Sequence, residues 1–130
     1  MLKKYIIILV STLFLFSCSS REHKKLQVEA QKVTDIIIES HDNSDIRIVT
    51  ENEFLNDFFD RYPAPLSSRN KEIDNKSEEL IQLLYLLKSL NSLYIKSKEY
   101  SLEYEVSKQQ KEYSEILTKL NEEHNINIHE

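Results

Sequence analysis

The sequence predicts a mainly α fold, a small helical bundle or a bent helical hairpin, built behind an N-terminal leader. Three observations point there. Two apolar stripes at helical spacing run through residues 80–94 and 102–120. Helix-start patterns precede the aromatic cluster at 54–62 and the first of those stripes. The chain also has no glycine, the residue on which two-residue hairpin turns rely for positive φ. The alternative is an α+β arrangement with two ββα-like units.

The leader begins with Lys3 and Lys4, runs apolar from Tyr5 to Phe16 apart from Ser11 and Thr12, and ends on Leu15-Phe16-Ser17-Cys18. A basic start, a short apolar run and a small residue before a cut make a secretory signal. Twelve residues, 5 to 16, fall short of the ~20 that span a bilayer, so the run predicts a processed signal and no permanent span. Leu15, Ser17 and Cys18 stand where the lipobox of bacterial lipoproteins has its residues, and these first 18 residues resemble that class. Beyond them the chain resembles no family. The resemblance implies cleavage between Ser17 and Cys18, and acylation of Cys18. Each buried methylene adds about 0.8 kcal/mol of membrane affinity, and two or three chains make a durable anchor. The plainer alternative is an ordinary secretory signal with an incidental cysteine. Against it, Cys18 is the one cysteine of the chain and falls at the lipobox position. Ser19, rather than Asp, after the cysteine resembles outer-membrane sorting in enteric bacteria. The expected location is therefore the cell envelope, lipid-anchored to a bacterial membrane, the outer one in a diderm.

Residues 1–17 are the expected signal peptide, 18–25 the acylated cysteine and a polar tether, and 26–130 one small domain with an internal loop at 63–75. Seventeen Lys and Arg against twenty-two Asp and Glu give a charge of −5, which loss of Lys3 and Lys4 makes −7. An acidic chain has no electrostatic reason to hold nucleic acid, whose binding is dominated by basic contacts to phosphate. With Cys18 acylated no disulfide can form, so stability comes from packing. The missing glycines exclude phosphate-cradling nucleotide loops, and positions needing positive φ are expected to use Asn or Asp, or to be avoided.

From Leu26 the apolar residues Leu26, Ala30, Val33 and Ile37 are spaced as one helix face. Yet Val33 to Ile38 is rich in β-branched residues, which favour strands. His41 to Asp45 is a turn, and Ile46 to Val49 is again strand-like, so 33–49 reads either as a β-hairpin or as one helix turning into the next. Thr50-Glu51-Asn52-Glu53 has the form of a capping box, with Thr50 as cap and Glu53 reaching back. It predicts a helix to about Arg61 that buries Phe54, Phe58, Phe59 and Tyr62. Pro63 and Pro65 stop it.

Asn75, with Glu78 three residues on, is the next expected start. Leu80, Leu83, Leu84, Leu87, Leu90 and Tyr94 make the first stripe, widened by Ile81, Leu86 and Leu93. Leu102, Val106, Tyr113, Ile116, Leu117 and Leu120 make the second. The interval of twelve residues from Tyr94 to Val106 breaks the heptad register. An unbroken helix over 76–120 would span about 68 Å, roughly twice the ~35 Å width of a compact domain of this size. The chain is thus expected to bend between Ser89 and Ser101 or to find a partner. Leu102-Glu103-Tyr104-Glu105-Val106 alternates as a strand does, and Ser107 with Gln110 forms a second capping-box pattern. These carry the ββα alternative.

Candidate chemistry is sparse. His23, His41, His124 and His129 have no i, i+4 pairing of the zinc-site kind. His124 and His129 fall in a tail expected to fray in solvent. Asp42, Asn43 and Asp45 lack the alternation and distal glutamate of a calcium loop. A glycine-framed serine elbow is excluded. No catalytic residue, metal site, cofactor or small-molecule substrate is expected. The working expectation is a membrane-anchored lipoprotein that acts through protein–protein contact, as a scaffold or accessory, with an envelope protein as partner. The alternative is an immunity- or inhibitor-type lipoprotein that blocks an envelope enzyme or toxin. A third option is an enzyme whose site gives no local motif. The expected partner surface is the second stripe, through Tyr104, Tyr113, Ile116 and Leu120, with core-margin roles for most other tyrosines.

Overall fold

The β-branched run from Val33 to Ile38 is helical. Ala30, Val33 and Ile37 are wholly buried, and burying a Val or Ile side chain contributes about 1.5–3 kcal/mol. The intrinsic helix penalty of such residues is at most about 0.7 kcal/mol each, so packing decides. The computed structural model describes the backbone of residues 2–64 and 75–129, and within those ranges the side chains from residue 23 onward. Among the described residues are five helices and no strand: α1 (Leu2–Asn43), α2 (Arg47–Thr50), α3 (Glu53–Arg61), α4 (Asn75–Glu99) and α5 (Glu103–His124). The mainly α bundle holds, and neither ββα unit forms. Helix α1 passes without a break through 19–25, so the expected tether is helical. Most of the expected 63–75 loop, residues 65–74, lies outside the described residues.

Contacts at the helix ends fix the topology. His23 meets Ser77 at one end of the α1–α4 pair (3.2 Å), and Lys98 donates to Ser44 at the other (2.8 Å), so α1 and α4 run parallel. Helix α5 runs back, with Gln110 beside His41 and the carbonyl of His124 beside Gln27. Helix α3 returns along α1, where Arg61 grips Glu29 (2.8 Å). The result is an up-down-up-down bundle with α2 as its first corner. One core unites Leu26, Val33, Ile37, Leu55, Phe58, Phe59, Leu80, Leu84, Leu87, Tyr113 and Leu120, with Phe54 and Leu90 at its edge. The aromatic run at 54–62 is core, as its spacing predicts.

The predicted bend falls at residues 100–102, between α4 and α5. Leu102 N–H donates to the Ser97 carbonyl (3.0 Å) and Ser101 N–H to that of Lys98 (3.1 Å). With Ser101 at φ 55° this is a Schellman C-cap. Helix α1 ends the same way, through Ser44 at φ 48°, Asp45 N–H on Ser40 O (3.0 Å) and Ser44 N–H on His41 O (3.2 Å). Among the described residues the third left-handed one is Asn125. Serine therefore takes two of the three positions that were expected to use Asn or Asp.

Two expected caps are corrected. Helix α3 is capped by Asn52, whose Oδ1 accepts from Leu55 N–H (2.9 Å), while Thr50 lies in α2 and turns its hydroxyl to the Ile46 carbonyl. The entry is set by the α2 turn, which uses residues up to Thr50 and leaves Asn52 in the extended geometry a cap needs. Ser107 is interior to α5, which starts at Glu103. At the other end of α3, the Tyr85 hydroxyl from α4 donates to the Tyr62 carbonyl (2.7 Å), with that of Phe59 also in reach (3.1 Å). It thereby satisfies carbonyls that a helix end leaves unpaired.

Candidate functional site

Of the expected partner residues, only Tyr104 is open to solvent, at 79 % exposure. Tyr113 (3 %) and Leu120 (0 %) are core, and Ile116 packs against it. The second stripe from Tyr113 to Leu120 is thus corrected from contact surface to interior, while its first residue, Leu102, stays exposed. It closes on the first stripe because the bend at 100–102 consumes the residues that put the two out of register. Ser17 and Cys18 lie within α1, and their side chains lie outside the described residues.

The apolar residues left outside are different ones. Leu86 and Leu93 are exposed on α4, seven residues apart, and Tyr100 follows at the next interval of seven, just past the helix end. Leu102 and Tyr104 are exposed at the start of α5. Heptad spacing places Leu86, Leu93 and Tyr100 along one side of the helix, ending at the α4–α5 corner. Leu86 and Leu93 were visible in the sequence as residues widening the first stripe. What marks them as outer is which neighbours turn inward, and periodicity alone does not tell that. The bend places Tyr100 and Tyr104 on either side of the α4–α5 corner.

The interior facing that corner is polar. His41, at the end of α1, is stacked between Tyr94 (centroids 4.1 Å apart) and Tyr113 (3.9 Å, rings 7° from parallel). Its Nδ1 meets Asn91 Oδ1 at 3.3 Å and its Nε2 meets Gln110 Oε1 at 2.8 Å. Asn91 is held in that orientation because its Nδ2 donates to Ser40 Oγ (3.0 Å), which in turn donates to Asp45 O (2.8 Å). Lys98 Nζ lies 5.4 Å from the Tyr94 ring centre. Gln109, also buried, brings its amide nitrogen to Ser97 Oγ (2.8 Å), Leu93 O (3.2 Å) and Glu105 O (3.1 Å). Burial holds His41 below the ordinary imidazole pKa, against the opposing hydrogen bonds of Gln110 and Asn91. The Tyr113 hydroxyl has no hydrogen-bond partner, and burial pushes its pKa far up. The cluster joins three helices by side chains whose hydrogen bonds are spent on one another, which suits it to fixing helix register.

The C-terminal tail does not fray as expected. Asn127 N–H donates to Gln31 Oε1 (2.7 Å), Gln31 Nε2 donates back to Asn127 O (2.8 Å), and Ile126 is wholly buried. That strap holds His124 inside the protein, whereas His129 stays exposed. The signal was present in the sequence as Ile126 and Ile128, apolar residues at alternate positions. Comparison with protein-family models, curated proteins and solved structures gives no match. Among the described residues, no helix is long and apolar enough to cross a membrane.

Proposed function

We propose that this chain is a lipid-anchored envelope protein that works by holding another protein, with Cys18 as its membrane attachment. The observation that carries the reading is the row Leu86, Leu93 and Tyr100 with Leu102 and Tyr104 beside the same corner, all exposed. Heptad-spaced apolar residues on a helix are the surface that a partner helix packs into, and exposed apolar rows of this kind mark interaction sites. The corner lies at the end of the bundle remote from residue 23, hence from Cys18. An anchored bundle would present it away from the membrane.

Two experiments test the reading. A fatty-acid probe is expected to label the protein, and Cys18→Ala to abolish the label and leave unprocessed precursor; label persisting in that variant would end the anchor claim. Leu93→Asp, on an exposed position, is expected to keep the circular dichroism spectrum and thermal midpoint. It should also remove partners captured by cross-linking in intact envelopes. Unchanged capture would exclude this row as the contact. The charge of −7 supports a second reading, an immunity- or inhibitor-type protein facing a basic enzyme or toxin. Association governed by charge weakens steeply with salt, whereas association through the leucine row does not.

A further inference from the structure

His124 is 3 % exposed, and neither of its ring nitrogens has a hydrogen-bond partner. Buried polar atoms without partners cost about 1–3 kcal/mol each, so the position calls for a group that the polypeptide does not supply. The neighbours say which kind. Donor atoms of His124, of Glu123 beside it and of Glu79 on the second turn of α4 all lie within 4.8 Å of one another. Neither a hydrogen bond nor an ion pair joins them. They are too far apart to satisfy each other and close enough to share an ion.

We propose that Glu79, Glu123 and His124 bind a divalent cation of the Zn²⁺ type, which clamps the start of α4 to the end of α5. One imidazole nitrogen and two carboxylate oxygens are a donor set that Zn²⁺ accepts, at about 2.0–2.2 Å per ligand. A tetrahedral ion at those lengths sets its ligand atoms about 3.4 Å apart. Donors that stand as much as 4.8 Å apart must close in to reach that spacing. Glu79 and Glu123 are exposed, so rotation of their side chains supplies that movement without disturbing the core. His124 is already placed: Gln27 Nε2 donates to its carbonyl (2.9 Å), and Asn125 ends the helix directly after it. Burial disfavours the protonated imidazole, the form that cannot bind a metal. Lys76 and His23 also face His124 and oppose a cation, while the two carboxylates offset them. A fourth position remains for water or another ligand.

The test uses the full chain in detergent, stripped with chelator and titrated with Zn²⁺ alone near neutral pH. Calorimetry is expected to show one ion per chain with micromolar or tighter affinity, and the thermal midpoint to rise on saturation. Glu79→Gln and Glu123→Gln, both on exposed positions, should fold normally. Each should weaken binding by about tenfold or more, because outer partners of metal ligands already cost 10–100-fold when lost. His129→Asn should bind as the parent does. The proposal is overturned if saturation is not reached at millimolar Zn²⁺, if both glutamate variants bind unchanged, or if His129→Asn abolishes binding.

Discussion

Acid should unfold this protein through its two buried histidines, and the size of the effect follows from where they sit. His41 is pressed between Tyr94 and Tyr113, and His124 lies under the C-terminal strap; burial lowers the pKa of both. For His41 the hydrogen bonds to the amide oxygens of Gln110 and Asn91 and the charge of Asp42 act against burial, and Lys98 acts with it. For His124, Glu79 and Glu123 oppose burial, and His23 and Lys76 reinforce it. The unfolded chain takes up protons at the ordinary histidine value, about pH 6.5, before the folded one does. Stability is then fully present above that pH and is lost as pH falls towards the lowered folded-state values. Each histidine contributes a slope of at most about 1.4 kcal/mol per pH unit, so the pair gives at most about 2.7. Against a typical stability of about 5–15 kcal/mol, one pH unit is a large fraction. Urea denaturation followed by circular dichroism, with chelator present, from about pH 7.5 to about pH 5 measures it. His124→Gln should retain only the part due to His41. Stability that rises on acidification would refute the reasoning. It would mean that two tyrosine faces and two amide oxygens stabilise the His41 imidazolium more than burial penalises it.

Smaller changes test the local structure. Asn52→Ala should cost about 1 kcal/mol, the usual value of a lost N-cap, while Ser107→Ala, inside α5, should cost almost nothing in the same urea titrations. Tyr113→Phe removes a buried hydroxyl with no partner and should stabilise by about 1 kcal/mol or more, read from the urea midpoint at constant m-value. Ser101→Gly should stabilise by about 0.5–1 kcal/mol. It relieves the roughly 1–2 kcal/mol cost of a left-handed L-residue, and gives part of that back through a looser unfolded chain.

The periodic parts of this chain were legible, and the parts set by local geometry or long-range contact were not. The faces Leu26-Ala30-Val33-Ile37 and Leu80-Leu83-Leu87 could be read directly, because burial rewards the 3.6-residue period. Length and register called for a bend between the two stripes or for a partner chain, and the bend is what forms. Its form was not legible, because Ser44 and Ser101 adopt positive φ at caps where glycine is usual, and nothing in a serine announces that. Thr50 satisfied the capping pattern as well as Asn52 does its role, and only the α2 turn selects between them. His124 was assigned to a solvated tail because it lies past Leu120, the last residue of the second stripe, where a chain end is expected to fray. Its burial depends on Gln27 and Gln31 from α1, about a hundred positions earlier in the chain.

The outer leucine row depends on a polar residue rather than an apolar one. Helix α4 carries leucine or isoleucine at 80, 81, 83, 84, 86, 87, 90, 93 and 95, which covers most of its circumference. Turning it about its axis would exchange Leu83 and Leu87 for Leu86 and Leu93 at nearly equal apolar area, so hydrophobicity leaves the rotation undecided. Asn91 decides it. It is wholly buried and makes its hydrogen bonds to Ser40 and His41. Stranding it costs about 1–3 kcal/mol per unsatisfied group, a penalty that the exchange of leucines does not return. A single buried amide that fixes register is the best-attested use of such residues in helix packing. Asn91→Leu should therefore keep the helix content and lose the unique packing. It should show a lower urea m-value, dye binding to exposed apolar surface, and protection of a probe at Leu93→Cys in a protein carrying Cys18→Ser. Full cooperativity with the probe still exposed would show that shape alone holds α4 in place, and that the outward leucine row needs no amide to keep it there.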